Sequence, residues 1–163
     1  MARTEVERSV QPSLLDRLTD TELDRPADVP GSRDQSERAF RRSVQRDVEW
    51  LLNTRRGIRR ASVNEPETHL SVLEYGLHDT SGMSMSGALG PRQLAEHIQD
   101  TLQRFEPRLT KVVVKLLGAD EKLRLQVRFS IQATLLMDPT PEQIVFDTVL
   151  EIASGAYEVD SSG

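Results

Sequence analysis

Leu123 to Leu135, LRLQVRFSIQATL, decides the fold class. Leu123, Leu125, Val127, Phe129, Ile131, Ala133 and Leu135 take every second position, with Arg124, Gln126, Arg128, Ser130, Gln132 and Thr134 between them. A strand turns successive side chains to opposite faces, so a period of two predicts a strand with one buried and one wet face. The neighbouring segments extend it into a sheet. Lys111 to Leu117 (KVVVKLL) is rich in β-branched residues, and Gly118-Ala119-Asp120 reads as the turn between the two strands. Asp138-Pro139-Thr140-Pro141 ends the long strand. A third strand, about 143–152, places Ile144, Phe146, Leu150 and Ile152 on one face, and Ser154-Gly155 is suited to turn it into a short return strand, Ala156 to Val159.

Upstream the period becomes helical. Phe40, Val44, Val48, Leu51 and Leu52 form one apolar stripe in a helix over about 36–54, with Ser36 as candidate N-cap. Leu94, Ile98, Leu102 and Phe105 form another, in a helix that starts at Pro91 and stops before Pro107. Between them, 69–77 (HLSVLEYGL) reads as a short extended segment or turn, and 79–90 as a loop. The expected fold is α+β: two main helices packed on one face of an antiparallel sheet of three to four strands. This domain spans 36–160. A flexible N-terminal arm, 1–35, precedes it, with Pro12, Pro26 and Pro30 among polar residues. Within the arm, 12–19 is a short amphipathic segment with Leu14, Leu15 and Leu18 on one side, too short to be stable without a partner surface.

Composition narrows the function classes. The 163 residues hold 21 Lys+Arg against 26 Asp+Glu, a net charge of −5, which argues against bulk nucleic-acid binding. The charge is uneven: residues 1–60 carry 13 arginines against 11 acids, net +2, and residues 61–163 carry 8 basic against 15 acidic residues, net −7. Cysteine is absent, which removes disulfides, thiol catalysis and Cys-ligated zinc. No apolar run approaches the ~20 residues of a membrane span. Aromatic residues make up 4%, so the core is mainly aliphatic. His69, His78 and His97 share no helix face, and a metal site would have to be assembled from distant segments, for example with Asp79. The glycines of 82–90 are not followed by the lysine of a phosphate-binding loop, and no cofactor is expected. The arginines of the first helix (Arg38, Arg41, Arg42, Arg46) are interleaved with Glu37, Asp47 and Glu49, which suits a solvated or protein-contacting face better than a nucleic-acid groove.

Phe105-Glu106-Pro107-Arg108-Leu109 stands at the junction of the second helix and the first strand. Proline fixes the backbone and holds Glu106 and Arg108 on a rigid corner. Two readings follow: a helix stop with a local ion pair, or a planar guanidinium presented to grip a partner's carboxylate or backbone carbonyls.

The order of these features resembles the TssE family, the small baseplate subunit of the type VI secretion system. That family is similar in turn to the "lysozyme-like" baseplate wedge protein of contractile phage tails. The matching residues are Pro12 to Leu18 (PSLLDRL), Ser43 to Asn53 (SVQRDVEWLLN), Ser71 to Leu77 (SVLEYGL), the Glu106-Pro107-Arg108 corner, and Phe146 with Asp147. The resemblance implies a structural, non-enzymatic protein, similar to the handshake domain of the sheath subunit, that seeds sheath assembly. It further implies that Glu106, Pro107 and Arg108 dock on TssF and TssG, and that TssK and the TssB/TssC sheath are further partners. The Leu14, Leu15 and Leu18 turn, on its flexible arm, suits docking to a neighbouring baseplate subunit. The implied setting is cytoplasmic, at the inner face of the cytoplasmic membrane. A strand edge near 143–159 is suited to pair with a strand from the first sheath ring. The alternatives are the homologous wedge protein of a phage tail or phage-derived particle, and a peptidoglycan-cleaving enzyme. For the last, Glu7 with Asp16 and Glu151 with Asp160 have the first spacing of a phage-type lysozyme, but no intact triad follows either pair.

Overall fold

The alternating stretch forms an inner strand of a sheet. The computed structural model describes residues 10, 13–18, 33–57, 66–79, 89–119, 126–138 and 140–161. Most of the expected arm, the loop over 80–88, Arg59, Arg60, Leu123 and Leu125 lie outside these residues. The helices are α1 (Leu14–Leu18), α2 (Arg33–Asn53) and α3 (Leu89–Phe105), and the strands are β1 (Leu109–Ala119), β2 (Gln126–Leu135), β3 (Glu142–Glu151) and β4 (Ala156–Ser161). The chain divides into two compact units, Met1–Val44 and Gln45–Gly163.

In the first unit, Ser13 caps α1: its hydroxyl accepts from Asp16 N–H (3.1 Å) and donates to the Asp16 carboxylate (2.5 Å). Leu14, Leu15 and Leu18 are exposed. Helix α2 begins three residues earlier than expected. Ser36 is therefore not its N-cap but lies within the first turn, its hydroxyl donating to Arg33 O (2.7 Å) and accepting from Val10 N–H (3.1 Å).

In the second unit the four strands form an antiparallel meander, β1-β2-β3-β4, with the two main helices packed on one face. Val48, Leu51 and Leu52 of α2, Leu94, Ile98 and Leu102 of α3, and Val127, Phe129, Ile131, Leu135, Phe146, Leu150 and Val159 of the sheet are buried. Each such side chain contributes about 1.5–3 kcal/mol of transfer free energy. Pro91 falls in the first turn of α3, and Pro107 ends the helix at Phe105.

Three expectations change. Gly118 and Ala119 do not form the turn but continue β1, where they pair with Arg128 and Val127. The second face of β2 is only partly wet: Arg128 is exposed and Gln126 and Gln132 are half-buried, but Ser130 and Thr134 are buried. These short side chains sit between longer cross-strand neighbours, Lys115 and Asp147 beside Ser130, and Gln143 beside Thr134, where Gln143 Nε2 donates to the Thr134 hydroxyl (2.7 Å). Of the two readings of 69–77 the turn holds: 3₁₀ turns form over Pro66–Leu70 and Val72–Glu74, and Leu77 then bridges to Arg55. The region 143–159 is not a single open edge. Strand β3 is an inner strand wherever β4 covers it, from Phe146 to Glu151, and Ile152 lies in the turn beyond its end. Gly155, at φ 68°, makes that turn.

Candidate functional site

Helix α2, the 3₁₀ turn, the end of α3 and the start of β1 meet around Arg108. The chain leaves α3 with Glu106 N–H donating to Leu102 O (3.0 Å), and Leu109 N–H closes the corner onto Glu106 O (3.0 Å). Pro107 sits exposed at the apex, while Glu106 is 4% exposed. Arg108 folds back over Glu106. Its Nε donates to Glu106 Oε1 (2.7 Å) and a terminal nitrogen donates to Oε2 (2.5 Å), a two-pronged pairing that fits the planar fork of arginine. The same terminal nitrogen donates to Asp47 Oδ2 of α2 (2.8 Å).

Asp47 extends the network. Its other oxygen accepts from Arg46 Nε (3.1 Å) and a terminal nitrogen of Arg46 (2.8 Å). The Arg46 guanidinium lies 4.7 Å from the ring centroid of Trp50, itself 52% exposed. Trp50, Arg46, Asp47, Arg108 and Glu106 thus form a chain of alternating charge ended by an indole. The two carboxylates hold Arg108 above the usual range of its guanidinium, against the opposing effect of burial. Tyr75 is raised by burial first and then by Asp47 and Glu106, with Arg108 opposing. Its ring meets Phe105 edge to face at 5.6 Å.

The turn carrying Tyr75 is held from below. Glu74, 3% exposed, pairs with Arg56 just beyond α2. Leu77 N–H donates to Thr54 O (2.9 Å), and Arg56 N–H donates to Leu77 O (2.8 Å). Gly76, at φ 101°, runs so close to α2 that a Cβ there would stand 2.3 Å from Thr54 O. Arg104 donates to the His69 carbonyl.

The local ion pair of the first reading is present, on a half-exposed surface. Arginine, tryptophan and tyrosine are the residues that dominate binding energy at protein interfaces. Sequence reasoning singled out Glu106 to Arg108 but missed the roles of Asp47, Arg46 and Trp50. The available signal was that these residues, with Tyr75, fall in the two stretches 43–53 and 71–77 that carry the resemblance. His78 and His97 are brought together, ring centroids 5.5 Å apart, and no cluster of three or more metal-ligating residues occurs among the described residues.

The family described as baseplate wedge protein gp25 matches residues 38–140, more than half of the chain. This chain belongs to the baseplate wedge protein gp25 family. It is a structural component of contractile tail-like systems, not an enzyme, and its partners are of the baseplate and sheath kind. The matched span includes every residue of the network around Arg108 and ends before β3. A comparison with curated proteins returns no match. Among the described residues no helix is long and apolar enough to cross a membrane.

Proposed function

We propose that this protein is the TssE-type subunit of a type VI secretion baseplate, which docks on the TssF/TssG wedge and initiates polymerisation of the TssB/TssC sheath. The observation that carries the docking reading is the network of Trp50, Arg46, Asp47, Arg108 and Glu106 around the exposed Pro107, an interface-type composition held rigid by its own ion pairs. Leu14, Leu15 and Leu18 supply a second contact, to a neighbouring subunit such as TssK. The setting is cytoplasmic, at the inner face of the cytoplasmic membrane. Co-purification tests this reading. Arg108→Lys keeps the charge but loses the planar fork, so it leaves the chain folded and lowers recovery of TssF and TssG. Unchanged recovery of both, with normal sheath formation, counts against the corner. The family match fits equally the wedge protein of a contractile phage tail or phage-derived particle, and recovery of tail proteins instead of TssF and TssG from native cells supports that reading.

A further inference from the structure

The fold brings together two imidazoles that the docking surface does not use. His78 follows the 3₁₀ turn of Val72–Glu74, and His97 stands in the middle of α3. Their ring centroids are 5.5 Å apart, with the planes tilted by 46°. Each backbone is held in place. Leu77, beside His78, is buried, and its backbone is tied to Thr54 (2.9 Å) and Arg56 (2.8 Å). Ile98, beside His97, is buried in the core. The rings themselves are open to solvent, His78 in part and His97 largely.

Neutral imidazole is the commonest side-chain ligand of transition metals and suits zinc, copper and nickel. A zinc–nitrogen bond of about 2.0–2.1 Å points along the ring toward its centre, so the ion stands about 3.2 Å from each centroid, and tetrahedral coordination then spaces two centroids by about 5.2 Å. The observed 5.5 Å is close to that spacing. Rotation of a ring about its side-chain bond presents a nitrogen to the gap without moving the backbone. Charge also permits a cation. Arg55, whose backbone pairs with Leu77, has its guanidinium 3.9 Å from Asp79, and this carboxylate offsets it.

We propose that His78 and His97 form a two-imidazole site for a divalent transition-metal ion of the zinc class. No group of three or more metal-ligating side chains occurs among the described residues, so water completes the coordination. The ion ties the end of the turn segment to α3. Tyr75 already joins that segment to Phe105, about two helical turns further along α3. Zinc supplies a second tie and stiffens the turn that carries Tyr75. The site stands independently of the docking reading, since neither histidine belongs to the network around Arg108.

The test uses the full chain without a histidine tag. Calorimetry with zinc chloride gives one ion per chain, and magnesium chloride, a hard cation that prefers oxygen ligands, gives no heat of binding. His78→Ala and His97→Ala each lower zinc affinity by about tenfold or more, because losing a ligand costs at least as much as losing a group that orients one. His69→Ala leaves the affinity unchanged. His97 is exposed, so His97→Ala folds as the parent does and keeps the test valid even where His78→Ala is destabilised. Zinc raises the melting temperature of the parent chain and of His69→Ala, and not of His97→Ala. Hydrogen exchange over 72–79 slows with zinc in the parent chain. Absence of zinc binding, binding that survives His97→Ala, or zinc-driven dimers in sedimentation, which would place the ion between two chains, overturns the proposal. Copper(II) tests the ligand set separately. Its electron paramagnetic resonance spectrum shows two imidazole nitrogens in the parent chain and one in His97→Ala, and an identical spectrum in both overturns the pair.

Discussion

Two ion-pair clusters flank the end of α2, and they differ in burial. Arg56 and Glu74 form a pair whose side chains are 9% and 3% exposed, beneath the turn that carries Tyr75. Asp47, Arg108 and Glu106 form a network whose side chains are 23%, 23% and 6% exposed. The first has no surface left for a partner. It ties residues 71–77 to α2, and its removal is a matter of stability. The second keeps its Arg108 and Asp47 faces open beside Pro107 and Trp50. Desolvation by a partner strengthens such charges, because the local dielectric falls around a geometry already set. Similar chemistry thus occurs at two depths: the buried pair holds the turn on α2, and the open network is the surface that the proposed docking uses.

The largest expected effect breaks the comparison from the buried side. Glu74→Ala leaves Arg56 as an unpaired buried charge and lowers unfolding stability by about 3–5 kcal/mol in urea titrations. A loss of less than about 1 kcal/mol would place this pair in the same class as a surface bridge. Next is Trp50→Ala, which lowers affinity for the baseplate partner by about 2 kcal/mol or more. Because Trp50 is half exposed, stability changes by no more than about 0.5 kcal/mol. A stability loss as large as the binding loss would make the indole a packing residue. Arg108→Lys sharpens the contrast by costing about 1–2 kcal/mol of binding while the fold persists. Arg108→Ala is the less informative variant, since it strands the buried Glu106 carboxylate and mixes stability with docking.

The smallest effect lies on the sheet. Burial pushes the Tyr157 phenol up to about 12, and its hydroxyl has no hydrogen-bond partner among the described residues. A raised phenol means that the unfolded chain releases this proton first, so stability is full below about pH 10 and falls as pH rises toward 12. Tyr157→Phe flattens that alkaline decline and changes stability at neutral pH by about 1 kcal/mol or less. An unchanged decline in thermal melts would assign it to other groups.

The element types were legible because each rests on a local period. Leu94, Ile98 and Leu102 repeat as a helix does, and Val127 to Leu135 alternate as a strand does, whatever they pack against. The corner was legible for a similar reason, since proline restricts its own backbone and that of Glu106 in any fold. Partners were not legible. Nothing in the spacing of Asp47 and Arg108, 61 residues apart, connects them, and the closure of β4 by Gln45 and Asn53 crosses more than 100 residues. Burial of Thr134 on the second β2 face was equally hidden, because the reach of Gln143 over it depends on register.

The sequence by itself determined the α+β class, the two helix stripes, the strands, the Ser154-Gly155 turn and the rigid Glu106-Pro107-Arg108 corner, all through interactions between near neighbours. Tertiary structure alone decided which charges are buried, which are displayed, and which amides close the sheet. Those outcomes depend on pairs of side chains that only the assembled second unit brings within hydrogen-bond distance.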